Sequence, residues 1–198
     1  TVIVSAGGEV NDVRKVVSPV VQNNPKTSLY HIDFSLDDLR LGGSAFAQTL
    51  KKVGSDVPTV KNPEYFRDAF NAVQQLVEKG LIVAGHDISA GGLITCLLEM
   101  CFANTEGGLE IDLDNFKCDD LIKVLFAENP GVVVQVSNAN KAAFKKVLDE
   151  AGVAYVKLGQ PTDERHILAT KDGATYQFGI DYLRDVWYET CYILDTKQ

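Results

Sequence analysis

Cysteine and histidine are both scarce in this chain of 198 residues, which has four of the first and three of the second. The cysteines show no C-x-x-C spacing and the histidines are scattered, so a zinc site with thiolate and imidazole ligands is not expected. Reduced cysteines packed inside a protein of a reducing, cytoplasmic compartment are the simplest interpretation. The four cysteines are Cys96, Cys101, Cys118 and Cys191.

Long apolar runs are also missing. Runs such as residues 81–84 and 131–134 are far shorter than the roughly 20 residues that cross a bilayer. The first residues have neither the basic start nor the apolar stretch of a signal peptide. We therefore expect no membrane partner and no secretion. Because Met100 is the only methionine, the chain has no initiator Met, and we expect it to be a segment of a larger protein.

Positive charge is in deficit. Lysine and arginine number 19 against 27 aspartates and glutamates, which gives a net charge of −8. The densest basic groups are pairs such as Lys51-Lys52 and Lys145-Lys146, each with acids nearby. An acidic chain without a basic cluster repels a phosphate backbone, so no nucleic-acid partner is expected. Hydrophobic residues at 45% and charged residues at 23% are ordinary globular values and predict a folded domain.

Short apolar runs alternate with segments of helical periodicity along most of the chain, which is the pattern of a layered α/β domain. The clearest helix starts at Pro63 behind Asn62 and presents one apolar face until Gly80. The other predicted helices cover residues 45–53, 93–103, 119–127, 140–151 and 180–188. The predicted strands cover residues 1–5, 28–34, 81–84, 109–112, 132–136, 154–158, 167–170 and 175–178.

Two loops that contain glycine pairs each precede a predicted helix. Gly42, Gly43 and Ser44 lie before the helix at residue 45, and residues 86–92 lie before the helix at residue 93. Free backbone N–H groups and a helix dipole favour anions at such places, so Gly42, Gly43 and Ser44 form a candidate phosphate loop. Neither loop matches the P-loop or dinucleotide-binding patterns. A glycine pair before a helix is also a common tight-turn device, and that alternative stays open.

The loop over residues 86–92 combines groups that suit a metal and nucleotide site. Asp87 offers a hard carboxylate oxygen for Mg²⁺, Ser89 a hydroxyl, and Gly91 and Gly92 allow close backbone approach to a phosphate. In the structural alternative, Asp87 or Ser89 only caps the next helix. His86 is expected to hydrogen-bond to backbone, to orient Asp87 or to touch substrate. A serine-hydrolase elbow is not expected, because Asp87 stands where that motif needs glycine.

Taken together, these residues resemble the C-terminal domain related to aminoimidazole ribonucleotide (AIR) synthetase, and more closely the second such domain of the large phosphoribosylformylglycinamidine synthases. The resemblance covers essentially the whole chain, and its motifs are specific in combination. They are His86-Asp87-Ile88-Ser89-Ala90-Gly91-Gly92, Leu41-Gly42-Gly43-Ser44-Ala45, Asn11-Asp12-Val13-Arg14-Lys15, Glu99-Met100-Cys101-Phe102-Ala103 and residues 183–190.

The resemblance implies a three-layer α/β sandwich with a mixed sheet over residues 1–178. A connecting tail over residues 179–198 would lead towards a glutaminase domain outside this chain. The implied activity is an ATP-dependent ligase of purine biosynthesis, in which phosphoryl transfer activates the amide oxygen of formylglycinamide ribonucleotide and ammonia from glutamine then displaces it. The implied cofactors are Mg²⁺ and ATP or ADP, with Asp87 as a Mg²⁺ ligand and Ser89 as a nucleotide contact.

Two positions depart from the family, and two alternatives stay open. Ile88 and Ala90 stand where large members often have Arg and Asp, so no role is assigned to them. A selenophosphate synthetase, thiamine-monophosphate kinase or hydrogenase-maturation homologue would belong to the same superfamily, although the tail after Phe178 argues against it. The alternative from another class is a non-catalytic α/β interaction module whose glycine loops are only turns.

Overall fold

The computed structural model describes Ser5 and residues 7–10 and 12–197, and it contains seven strands and six α-helices in that part of the chain. The strand expected over residues 1–5 lies outside the described residues, except for Ser5, which is in no strand. The strands are β1 (Thr27–Asp33), β2 (Ala84–Asp87), β3 (Gly108–Asp112), β4 (Gly131–Ser137), β5 (Tyr155–Thr162), β6 (His166–Lys171) and β7 (Ala174–Gly179). The helices are α1 (Ala45–Thr49), α2 (Pro63–Glu78), α3 (Gly92–Phe102), α4 (Leu121–Phe126), α5 (Lys141–Glu150) and α6 (Ile180–Thr196).

The strands form one sheet in the order β2-β4-β1-β5-β3-β6-β7. The pair β3 and β6 is parallel, and the other strand pairs are antiparallel. Alternate residues of β1 face opposite sides: Leu29 lies in the core beneath α3, α4 and the start of α6, whereas Tyr30 and Ile32 lie in the core beneath α2 and α5. Helices therefore cover both faces, which confirms the predicted α/β fold with three layers and a mixed sheet.

Helix α2 follows the sequence prediction closely. The Asn62 side-chain oxygen accepts hydrogen bonds from the backbone N–H groups of Glu64 at 2.9 Å and Tyr65 at 3.2 Å. Pro63 occupies the first helical turn, where no backbone donor is needed. Gly80 follows the helix end with φ of +65°, a conformation that glycine adopts without strain.

The predicted strand over residues 81–84 is wrong in position, because β2 begins only at Ala84. The Leu81 N–H donates to Leu76 O at 2.9 Å, so the first residue of the run is still hydrogen-bonded to the last turn of α2. The Val83 N–H is the first of the run to bond to β4, donating to Gln135 O at 2.9 Å. From Ala84 onward the chain pairs with β4, and Asp87 stands opposite Val132. His86 and Asp87 are therefore strand residues, and the loop proper begins after them.

Two other helix ends differ from the prediction. Helix α1 ends at Thr49 instead of residue 53, because Lys51 adopts a left-handed conformation with φ of +56°. Helix α6 continues past Tyr188 to Thr196, since apolar residues recur at helical spacing beyond the predicted end. None of the helices in the described residues has the length and apolar character needed to cross a membrane.

Candidate functional site

The segment from Asp87 to Gly92, here called loop 87–92, consists of the last residue of β2, the four connecting residues and the first residue of α3. Gly91 precedes the helix with φ of +89°, and Gly92 begins it with φ of +73°. Asp87 is 71% exposed at its side chain, and Ser89 is exposed. No side chain caps α3 within the described part of the chain, so neither Asp87 nor Ser89 has the capping role of the structural alternative there.

His86 is held between Asp87 and α3. Its Nδ1 lies 2.8 Å from the Asp87 backbone oxygen, which requires Nδ1 to be the donor. The same nitrogen lies 3.5 Å from Asp87 Oδ1, and Nε2 lies 3.3 Å from Glu99 Oε2. The expectation that His86 hydrogen-bonds to backbone is confirmed, and the ring also lies next to the carboxylate of Asp87.

Both glycines of loop 87–92 are required by their surroundings. A β carbon on Gly92 would lie 2.7 Å from the backbone of Phe126 and 2.8 Å from Leu125 O, at the end of α4. A β carbon on Gly91 would collide with the side chain of Thr95. These glycines allow α3 to begin directly against the end of α4, which fixes the position of the loop.

Residues Leu41 to Ser44, here called loop 41–44, form a turn in which three backbone N–H groups have backbone acceptors. The N–H of Gly42 donates to Asp56 O at 2.9 Å, that of Gly43 to Val53 O at 2.6 Å, and that of Ser44 to Leu41 O at 3.2 Å. The Ser44 hydroxyl oxygen also accepts from Ala47 N and caps α1. Because these amides already have acceptors, the geometry favours the turn interpretation, and the phosphate loop stays a prediction.

Glu128 joins the start of α1, directly after loop 41–44, to loop 87–92. Its Oε1 accepts hydrogen bonds from the backbone N–H of Ala45 at 2.8 Å and from that of Gly91, also at 2.8 Å. Sequence reasoning missed this residue, because its partners lie 83 and 37 positions away along the chain. The only local signal was a polar pair, Glu128-Asn129, placed between an apolar helix and an apolar strand.

The residues next to Glu128 in sequence form hydrogen bonds with the segments on either side of it. Asn129 is buried, accepts from Arg40 N at 3.3 Å and donates to Asp38 O at 3.1 Å. The N–H of Ile88 donates to Gly131 O at 2.9 Å. Segment 128–131 therefore contacts both the chain that leads into loop 41–44 and loop 87–92 itself.

An apolar groove of about 410 Å³ lies beside β2, and Asp87 stands on its wall. Val73 and Val77 of helix α2 line this groove, and Val17, from the segment before β1, lines it as well. Ligand sites in proteins are commonly concave and mostly apolar, with a few polar groups that fix orientation. Asp87 lines this groove, whereas Ser89, Gly91 and Gly92 do not.

Carboxylates dominate the surroundings of loop 87–92. Asp87, Glu99 and Glu128 lie there, and within residues 12–197 no lysine or arginine forms an ion pair with any of the three. A phosphate group would be repelled unless a cation accompanied it. The exposed Asp87 carboxylate suits Mg²⁺, which prefers hard oxygen ligands. The described residues hold no group of three or more side chains of His, Cys, Asp or Glu placed to bind one metal ion.

Thiol chemistry is not available at this site. Burial raises the pKa of the Cys96 thiol, and the carboxylates of Asp87 and Glu99 raise it further. Burial likewise raises the pKa of Cys101, to about 12. Both thiols stay protonated near neutral pH and act as small apolar groups in the core.

The profile of the family described as "AIR synthase related protein, C-terminal domain" matches residues 34–171. The chain belongs to this family. The matched range contains loop 41–44, loop 87–92 and segment 128–131, and the predicted resemblance is confirmed.

Two curated relatives match across the whole chain. It is 34% identical over 198 residues to the probable phosphoribosylformylglycinamidine synthase, chloroplastic/mitochondrial, of Arabidopsis thaliana, a match that covers 99% of the chain and 14% of the relative. It is 33% identical over 203 residues to the phosphoribosylformylglycinamidine synthase of Homo sapiens, which covers 100% of the chain and 15% of the relative. The chain thus spans about one seventh of these relatives.

Solved structures share the fold. The Thermotoga maritima PurL structure complexed with ATP matches with a TM-score of 0.67 and 14% identity over 87% of the chain and 28% of PurL. The PurL structure complexed with FGAR matches with a TM-score of 0.67 and 16% identity over 87% of the chain and 30% of PurL. At this level of identity the likeness shows the fold alone.

Proposed function

We propose that the full-length protein is a phosphoribosylformylglycinamidine synthase, an ATP-dependent ligase of purine biosynthesis. The observation that carries this proposal is the match to synthases of that name at 33% and 34% identity over essentially the entire chain. In the proposed reaction, the γ-phosphoryl group of ATP is transferred to the amide oxygen of formylglycinamide ribonucleotide. Ammonia from glutamine then adds to the amide carbon, and inorganic phosphate leaves.

Within this chain, loop 87–92 is the proposed nucleotide site. Asp87 would hold Mg²⁺, which supplies positive charge beside the phosphates, and the Ser89 hydroxyl would hydrogen-bond to the nucleotide. Gly91 and Gly92 would leave room for a phosphate near the start of α3. The exposure of Asp87 and Ser89 and the excess of carboxylates support this assignment. The PurL of Thermotoga maritima, which has the same fold, forms a complex with ATP, and this supports nucleotide binding here.

The proposed partners are a phosphorylated ribonucleotide and other domains of the same polypeptide. Formylglycinamide ribonucleotide is the proposed substrate because PurL, a protein of the same fold, forms a complex with FGAR. A glutaminase domain is proposed to supply ammonia, with residues 179–198 as the connection towards it. The four free thiols suit a reducing compartment, so a cytoplasmic location is proposed.

The test uses the full-length protein with Mg²⁺, ATP, glutamine and formylglycinamide ribonucleotide. We expect ADP formation that depends on the ribonucleotide. For loop 87–92, Asp87→Asn replaces the charged metal ligand by a neutral amide and should weaken MgADP binding about tenfold or more. Asp163→Asn is the matched control, because Asp163 is exposed and makes no side-chain hydrogen bond within the described residues. Equal MgADP affinity in both variants would contradict the nucleotide site, and absence of substrate-dependent ADP would contradict the activity.

A further inference from the structure

One carboxylate oxygen accepts hydrogen bonds from the start of α1, directly after loop 41–44, and from loop 87–92. Glu128 Oε1 is 2.8 Å from Ala45 N and 2.8 Å from Gly91 N, so the first residue of α1 and the residue before α3 share a single acceptor. Hydrogen bonds from backbone N–H groups to an ionised carboxylate are shorter and stronger than those between neutral groups. A displacement of either segment must therefore move Glu128 or break one of these bonds.

Glu128 is itself held in place by its neighbours. The Phe34 N–H donates to Pro130 O at 3.0 Å, directly after β1, and the Ile88 N–H donates to Gly131 O at 2.9 Å, directly after β2. Asn129 is 5% exposed and donates to Ser35 Oγ at 3.3 Å. The backbone on the C-terminal side of the carboxylate is thus attached to the ends of two strands. A side chain on so fixed a segment can position the groups that it binds.

We propose that Glu128 is a positioning residue that couples the start of α1, directly after loop 41–44, to loop 87–92 and so sets the geometry of the nucleotide site. This inference rests on the proposed nucleotide role of loop 87–92. Glu128 acts through Gly91, whose amide precedes α3 and lies two residues after Ser89. Because Glu128 also binds the Ala45 amide, a shift of α1 would move Glu128 and, with it, loop 87–92.

The first arm of the test compares three variants of the full-length protein by MgADP affinity. Glu128→Ala removes the shared acceptor and should weaken MgADP binding about tenfold. Glu128→Gln keeps the one oxygen that both amides use, so binding within about threefold of the original protein is expected. Glu106→Ala removes an exposed carboxylate that has no side-chain partner among the described residues, and it should leave affinity unchanged.

The second arm changes Ala45 at the start of α1 and keeps the glutamate at position 128. Ala45→Pro removes the N–H that donates to Glu128, and the ring carbon displaces the carboxylate. Proline is accepted at the first position of a helix, and Ser44 already has the extended conformation that precedes proline, with ψ of 157°. Hydrogen exchange of the peptide over residues 88–93 should become faster in this variant and in Glu128→Ala, although neither change lies in that peptide.

The outcomes separate this inference from the proposed function. Reduced MgADP affinity in Glu128→Ala with affinity retained in Glu128→Gln, together with faster exchange over residues 88–93, supports the coupling. If Asp87→Asn loses MgADP while Glu128→Ala binds normally, or if exchange over residues 88–93 is unchanged, the coupling is wrong and the nucleotide site stands. If Asp87→Asn also binds normally, both are wrong. Should Glu128→Ala fail to fold, Ala45→Pro decides by the same two measurements.

Discussion

Arg165 Nε lies 3.0 Å from Asp181 Oδ1, so the turn before β6 is tied to the first turn of α6. The same guanidinium donates through one terminal nitrogen to Cys101 O at 3.2 Å and to Gly107 O at 3.1 Å. Arg165 therefore joins α6, the end of α3 and the start of β3. The beginning of the proposed connecting tail is thus packed on the domain.

Replacing Arg165 should loosen this end of the domain. Arg165→Met keeps an unbranched apolar stem but removes every donor of the guanidinium. Gly107 O then loses its side-chain donor, whereas Asp181 keeps Arg184, so we expect a cost of about 1 to 2 kcal/mol of unfolding free energy. The measurement is urea unfolding of the chain. Arg184→Met is the matched control, because Arg184 also pairs with Asp181 but is 36% exposed against 17% for Arg165. Its loss should cost less than about 0.5 kcal/mol, and equal effects would contradict the argument.

Gly92 should be far less tolerant of a side chain than Gly80. Both have positive φ, so alanine brings the same conformational strain of about 1 kcal/mol at each position. Only at Gly92 does the added carbon meet backbone atoms, 2.7 Å from Phe126, whereas nothing lies within 4 Å at Gly80. We expect Gly92→Ala to lower the unfolding free energy by about 3 kcal/mol or more and Gly80→Ala by about 1 kcal/mol. Similar losses would show that α3 can move away from α4.

The parts of the fold that local sequence could predict are those with local causes. Helix α2 was predicted at both ends, because Asn62 caps it from the neighbouring residues and Gly80 ends it. The start of β2 was not predicted correctly, because the apolar residues 81–83 are equally compatible with the end of a helix and with a strand. Pairing with β4 decides between them, and that pairing is a contact between distant parts of the chain.

The same division holds for the candidate site. Asp87, Ser89, Gly91 and Gly92 could be predicted as site residues, because residue type and order within one loop indicate a chemistry, and their roles stay a prediction. Glu128 was not found, because its role depends on two hydrogen bonds to backbone atoms far away in sequence. Nearly every residue has a backbone amide, so the residue types at the two donor positions do not reveal that a distant side chain binds there.

The two interpretations of loop 41–44 make opposite predictions for Gly43→Val. Gly43 has φ of +75°, and valine is strained in that conformation. If the loop is a turn, the variant should melt at a lower temperature, while its folded fraction binds formylglycinamide ribonucleotide normally. The hydrogen bonds from the Gly42 and Gly43 amides to backbone oxygens of residues 56 and 53 favour this result. An unchanged melting temperature with much weaker binding of the ribonucleotide would instead support a phosphate loop.

His31 should make the chain less stable as the pH falls below neutral. It lies on β1, buried, with its ring 5.4 Å from that of Phe116. Burial lowers the pKa of His31 from 6.5 to about 4, and the nearby Asp33 carboxylate only partly opposes this shift. Between these two values the unfolded chain binds a proton that the folded chain does not, so the unfolded state gains stability.

The expected size of this effect follows from the shift in pKa. Lowering the pH from 7 to 5 should cost about 2 kcal/mol of unfolding free energy through His31, and below pH 4 this residue should add no further loss. Urea unfolding at pH 7 and pH 5 measures the difference. The His31→Gln variant cannot take up the proton, so most of the stability difference between pH 7 and pH 5 should disappear. The His166→Gln variant replaces a less buried histidine and should show the same difference as the original chain. If His31→Gln loses as much stability as the original chain over this range, another group is responsible.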